Sequence, residues 1–176
     1  ATASFAGQHL SLLHVAAPAV RAAVLQVHAS ATSPAALAYR ARLGLPGAPR
    51  MAIVVQRMVD ARVAGVLFTR HPTTRARELV IESSWGLGEA VVLGAVTPDG
   101  YRLSHEGEVL ERRIGHKDVE FVAHEGGTRQ VPVDPARAAA PTLDDARLAA
   151  LTRLARAVRA AFDGEHDLEW ALDHED

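Results

Sequence analysis

The sequence predicts an α+β fold, with a mostly antiparallel sheet flanked by helices. Three observations carry that expectation. Helical signals lie between residues 18 and 44, a long run of strand-like segments follows, and one amphipathic helix and one patterned strand come last. The strict strand–helix alternation of a doubly wound parallel sheet is missing.

The elements follow in order. Pro18 suits a first helical turn, and VRAAVLQVH continues it with good helix formers. Ser33 and Pro34 restart the signal as N-cap and first helical residue, Leu37, Ala38 and Ala41 make a short apolar face, and Gly44 stops it. MAIVVQRMV (51–59) is a run rich in β-branched residues suited to a strand covered on both faces, and ARVAGVLFT (61–69) follows at once, so the two are expected to form an antiparallel hairpin or a bent ribbon. HPTTRAR is a polar turn and ELVIESS (78–84) a third strand. WGLGEAVVLGAV turns from glycines into a helix, and PDGYRLS, GEVLERRIG and VEFVAHEGGTRQVPV read as short strands of a peripheral sheet. Thr142 to Asp145 resembles a capping box, and Leu148, Leu151, Ala155, Val158 and Phe162 then recur at helical spacing. Gly164 ends that helix, and HDLEWALD is the last strand.

Bulk properties exclude several classes. The 176 residues carry a net charge of −2 and no long basic block, so neither nucleic acid nor an anionic membrane is an expected partner. There is no cysteine, which removes disulfides and thiolate metal sites. No apolar run reaches the length of a membrane span, and ATASFAGQHL lacks the regions of a signal peptide, so a soluble cytoplasmic protein is expected. A start at Ala1 and an end just past a strong strand pattern suggest a fragment.

HDLEWALD holds the sharpest chemical signal. Leu168, Trp170 and Leu172 share one face of a strand, and Asp167, Glu169 and Asp173 the other. Carboxylates at alternate positions sit about 7 Å apart and repel unless a cation, water or a basic group intervenes. Rigidly held oxygens of this kind can ligate Mg²⁺ with substrate phosphates completing the shell, although a solvated edge face reads the same way. Other stretches are weaker. WGLGEAVV matches only two glycines of a dinucleotide fingerprint, and Glu89 suits a first helical turn as well as a ligand role. SFAGQHLS has a glycine whose backbone could approach phosphate, and QRMVDAR could offer backbone groups to an adenine edge or simply end a strand. The nine histidines show no transition-metal spacing.

SFAGQ, MAIVVQRMV, AGVLFTRHP, ESSWGLGEAVV and DLEWALD, in that order, resemble the N-terminal ATP-binding domain of phosphoenolpyruvate synthase, pyruvate phosphate dikinase and rifampin phosphotransferase. The resemblance runs from Ser4 to Asp173 and implies that residues 1–176 are part of an ATP-grasp nucleotide-binding domain, incomplete at both ends. It implies ATP and Mg²⁺ as cofactors. Gly7 and Ser11 would meet the phosphates, Gln56, Arg57, Met58 and Val59 would receive adenine, and Asp167 and Glu169 would hold the metal. Glu89, and less directly Arg70, would make polar contacts in the cleft. His71 stands where the family motif commonly has Asp, a change expected to alter only a turn.

The family's Lys and VRSSA-type Arg would precede Ala1, and the Gln and Arg of its QaRP motif would follow Asp176. The swivelling domain with a phosphate-carrying His, and any acceptor domain, would also lie elsewhere. No catalytic residue is therefore assigned within the chain. The implied activity is phosphoryl transfer from ATP through that His to pyruvate or an antibiotic hydroxyl, with none expected from this segment alone. The alternative is a nucleotide-binding or degenerate regulatory module that transfers nothing.

Overall fold

A computed structural model describes residues 9–124 and 126–174. The chain divides into two compact units, one taking in residues up to Met58 with Ala123–Thr128, the other Val59–Val122 with Arg129–Asp176.

In the first unit, α1 (Val20–Ala29) and α2 (Pro34–Arg42) occupy the two helical stretches expected. The Ser33 hydroxyl caps α2 by accepting from the Ala36 amide at 3.2 Å, with Pro34 at the first turn. The buried residue of α2 is Ala36, whereas Leu37, Ala38 and Ala41 are exposed, so the expected apolar face is not the packed one. The expected strand over 51–59 does not form: the segment has no ladder partner among the described residues, and Val54 is 83% exposed. β-branched residues favour a pleated, covered surface, and without a neighbouring strand that preference has nothing to act on.

The second unit holds an antiparallel sheet ordered β4-β3-β2-β1-β7. Its strands are β1 (Val63–Phe68), β2 (Leu79–Trp85), β3 (Asp99–Leu103), β4 (Val109–Arg113) and β7 (Asp167–Leu172). β1 therefore pairs with β2 and β7, not with 51–59 as a hairpin. β3 and β4 extend the main sheet, and only β5 (Val119–His124) and β6 (Gly127–Pro132) form the separate ribbon that the sequence suggested for all these strands.

One face of the sheet is the core. Val63, Leu67, Leu79, Ile81, Tyr101, Leu103 and Trp170 pack with Leu148, Leu151 and Ala155 of the long helix. Among the intervening shorter elements, α3 spans Glu89–Val92 and α4 Pro135–Ala138, and the long helix is α5 (Asp145–Ala161). Burying each of these large side chains contributes about 1.5–3 kcal/mol. The N-cap of α5 is Asp144, which accepts from the Arg147 amide at 2.9 Å, and not Thr142. Phe162 falls beyond the helix in extended backbone and is 62% exposed, so it leaves the apolar stripe. Gly65 makes room for the core tryptophan: a Cβ there would lie 2.9 Å from the Trp170 ring and 2.0 Å from the Glu82 carbonyl oxygen.

Thr142 has a different job. Asp99 and Lys117 form an ion pair of 2.5 Å with both side chains fully buried. Asp99 also accepts from the Gly115 amide at 2.9 Å and from the Thr142 amide and hydroxyl at 2.7 and 2.8 Å, while the Lys117 ammonium donates to the Gly115 carbonyl at 3.0 Å. With its lone pairs filled, the carboxylate can stay charged without water.

Candidate functional site

β7 delivers the predicted acids. Leu168, Trp170 and Leu172 turn toward the core, as the alternation requires, and Asp167 and Glu169 are exposed on the opposite face. The register places Asp167 beside Phe68 and Glu169 beside Val66 of β1. Neither acid has a hydrogen-bond or ion-pair partner among the described residues.

The same face carries an acid that sequence reasoning missed. Val66 pairs on its other side with Glu82, so Glu82 and Glu169 flank one β1 residue, with Val66, Phe68 and Val80 forming a half-buried apolar floor. The signal was present in ELVIESS, where alternation sets Glu82 opposite Ile81 and Ser83. Of the basic groups on this face, Arg113 lies across Gly100 from Glu82, its guanidinium lying over that glycine, whereas Arg102 is committed elsewhere. Arg102 grips Glu78 through two contacts of 2.8 and 3.1 Å and Glu111 through a third of 2.6 Å. The Arg102 guanidinium beside Glu78 holds that carboxyl below the ordinary range.

Free carboxylate oxygens on a strand are hard donors, the kind that Mg²⁺ takes from one or two protein carboxylates, with phosphate and water making up the rest. Among the described residues no group of three or more His, Cys, Asp or Glu side chains is gathered closely enough to hold a metal by itself. The donor set thus suits a cation that arrives with a phosphate ligand.

The turn before α3 is set by Gly86, whose φ of 71° and a notional Cβ 2.5 Å from the Phe121 carbonyl oxygen both demand glycine. Its neighbour Leu87 donates to that same carbonyl at 2.9 Å. Gly88 has helical backbone, and a Cβ there would make only van der Waals contact with Ala64 at 3.9 Å, so it is not required in the same way. Glu89 follows at the start of α3, and its Oε2 is buried without a hydrogen-bond partner. The Ser84 hydroxyl, on the outward face of β2, is also buried and unpartnered. Leaving such a group unsatisfied costs about 1–3 kcal/mol.

The remaining predicted residues are placed as follows. Gln56, Arg57, Met58 and Val59 are consecutive exposed residues outside any helix or strand. Ser11 is exposed, and Gly7 lies outside the described residues. Arg70 does not stand free: it pairs with Glu165, whose carboxyl it holds below the usual range. A cavity of about 380 Å³ in the second unit is lined by Arg62, Trp85, Arg112, Thr142 and Arg147 among others, and includes none of the predicted residues. Among the described residues no helix is long and apolar enough to cross a membrane.

The family described as pyruvate phosphate dikinase, AMP/ATP-binding domain, matches residues 1–176. The chain belongs to this AMP/ATP-binding domain family. A rifampicin phosphotransferase of Streptomyces sviceus is 41% identical over 179 residues, covering 99% of this chain and 20% of the relative. A probable phosphoenolpyruvate synthase of Methanothermobacter thermautotrophicus is 39% identical over 173 residues, covering 97% and 25%. A prodigiosin synthesizing transferase of Serratia marcescens is 40% identical over 175 residues, covering 97% and 20%. The chain therefore spans only a fifth to a quarter of the length of these relatives, and the antiparallel sheet with flanking helices is consistent with the ATP-grasp-like architecture expected of the family.

Proposed function

We propose that residues 1–176 are the ATP-binding part of a phosphotransferase, within an ATP-grasp domain. The observation that carries the reading is the pair of free carboxylates, Asp167 and Glu169, held on one face of β7 by the inward-facing Leu168 between them and the buried Trp170 next to Glu169. These two acids would hold Mg²⁺, which when bound offsets the negative charge of the ATP phosphates. Gln56, Arg57, Met58 and Val59 would present exposed backbone and side chains to adenine. Gly7 and Ser11 would contact phosphate, and Glu89 would give its unpartnered oxygen to a donor on the nucleotide.

In the whole protein the phosphoryl group would pass from ATP to a His on another domain, the His nitrogen forming the new P–N bond as the bond to the leaving ADP oxygen breaks. An acceptor such as pyruvate or an antibiotic hydroxyl would take it next. Calorimetry on the full chain tests the binding step: Asp167→Asn with Glu169→Gln should weaken ATP binding in Mg²⁺ and leave metal-free binding alone. Unchanged Mg²⁺–ATP affinity in that double variant refutes the assignment.

A nucleotide-binding module without transfer is the second reading. Phosphohistidine formed from ATP in the full-length protein, detected by mass spectrometry, would decide for transfer.

A further inference from the structure

The turn that follows β1 grips the turn that precedes β7. Thr69 is 1% exposed and makes a closed pair of contacts with His166: its amide donates to the His166 carbonyl at 2.9 Å, and its hydroxyl accepts from the His166 amide at 2.7 Å. A side chain here adds one more rung to the β1–β7 ladder, directly after the Phe68–Asp167 pair. One residue on, the Arg70 guanidinium binds one oxygen of Glu165 and its Nε donates to the Arg75 carbonyl at 2.5 Å. Arg75 takes the other Glu165 oxygen at 2.5 Å. Arg75 sits at a φ of 60°, an uncommon backbone for a residue with a side chain. The bend is closed by His71, whose Nδ1 accepts from the Thr73 and Thr74 amides at 3.2 and 3.3 Å. An Asp at that place could accept the same two amides, so the substitution preserves the turn.

These contacts converge on Glu165 and His166, the two residues immediately before Asp167. The geometry points to Thr69, Arg70 and Glu165 as positioning residues that fix where β7 begins, and so where the Asp167 and Glu169 oxygens stand for a divalent cation carried by a nucleoside triphosphate. The inference rests on the reading of those acids given above. It has a physical basis in strand geometry. Among the described residues β7 is an edge strand, held by β1 alone, and a slip of one residue would swap its two faces. The Thr69 and Arg70 contacts hold its first residues against such a slip without touching the ligand.

The test uses the full chain, with Mn²⁺ as the probe, titrated by electron paramagnetic resonance in saturating ATP, and ATP affinity measured separately without metal. Thr69→Val should weaken Mn²⁺ binding about tenfold, the size typical of an outer contact that orients a metal ligand. Thr69→Ser, which keeps the hydroxyl, should restore it. Arg70→Gln and Glu165→Gln, both at the surface, should weaken Mn²⁺ binding in the same direction, and they decide the matter if Thr69→Val does not fold. Metal-free ATP affinity should stay constant in Thr69→Val, Thr69→Ser and Glu165→Gln. Normal Mn²⁺ binding in Thr69→Val, Arg70→Gln and Glu165→Gln, alongside loss in Asp167→Asn, overturns the positioning role and leaves the metal assignment standing. Normal Mn²⁺ binding in Asp167→Asn overturns the metal assignment and this inference with it.

Discussion

Glu82 and Glu169 stand on opposite sides of the same residue, Val66, each paired with it across β1. With Asp167 on the same face of β7, they place three carboxylates without an ion-pair contact on one sheet face, with Arg113 across Gly100 from Glu82. Like charges so arranged work against the folded state, most strongly at low ionic strength. Glu82→Gln should therefore raise the urea midpoint at low salt, and the gain should shrink as salt is added. A midpoint that does not move at low salt would show that the three charges are not coupled.

Lys117 gives the opposite case, a charge that must be kept. Replacing it with Met leaves the Asp99 carboxylate buried without its cation, which costs about 3–5 kcal/mol. Changing both residues, Lys117→Met with Asp99→Leu, should cost clearly less than the sum of the single changes. Denaturant melts of the two single variants and the double complete the cycle, and simple additivity would mean that the pair is not coupled.

Asp144 makes a pH prediction. Its carboxyl is held below the ordinary value by the hydrogen bond from the Arg147 amide, followed by the charge of the Arg147 side chain. A depressed folded-state pKa adds stability above the unfolded value of about 3.8, and that stability fades as pH falls through the folded-state value. Asp144→Ala should cost about 1 kcal/mol at neutral pH, as for other lost N-caps. The gap between wild type and variant, read from urea melts, should close in strong acid. A gap independent of pH would exclude the charged cap.

The Ser84 hydroxyl is buried on the outward face of β2 and bonds to nothing. Removing an unsatisfied polar group relieves its desolvation penalty, so Ser84→Ala should be neutral or stabilising in a thermal melt. Destabilisation would reveal a hydrogen bond to that oxygen.

Local pattern carried much of this fold. The HDLEWALD alternation located a strand with its acids outward, and the spacing of Leu148, Leu151 and Ala155 located the long helix with its buried stripe. Pairing was harder, because a strand's neighbours are set by contacts distant in sequence. Nothing local in ARVAGVLFT shows that its partners are residues 79–85 and 167–172, not the adjacent 51–59. The Asp99–Lys117 bond joins residues in segments that looked peripheral, and a lysine beside an aspartate in HKDV reads as surface. At the site, the acids on β7 were legible because two of them alternate with apolar residues. Glu82 reads in sequence as one polar residue of a strand, and the Thr69 and Arg70 grip on residues 165–166 shows only once β1 and β7 lie side by side.

Lys117 is also the sole lysine of the 176 residues, against eighteen arginines. Its amine is sealed from solvent in the native state. Reagents that acylate amines will therefore spare this side chain until the sheet opens, and the rate at which it becomes labelled is a direct clock for that opening.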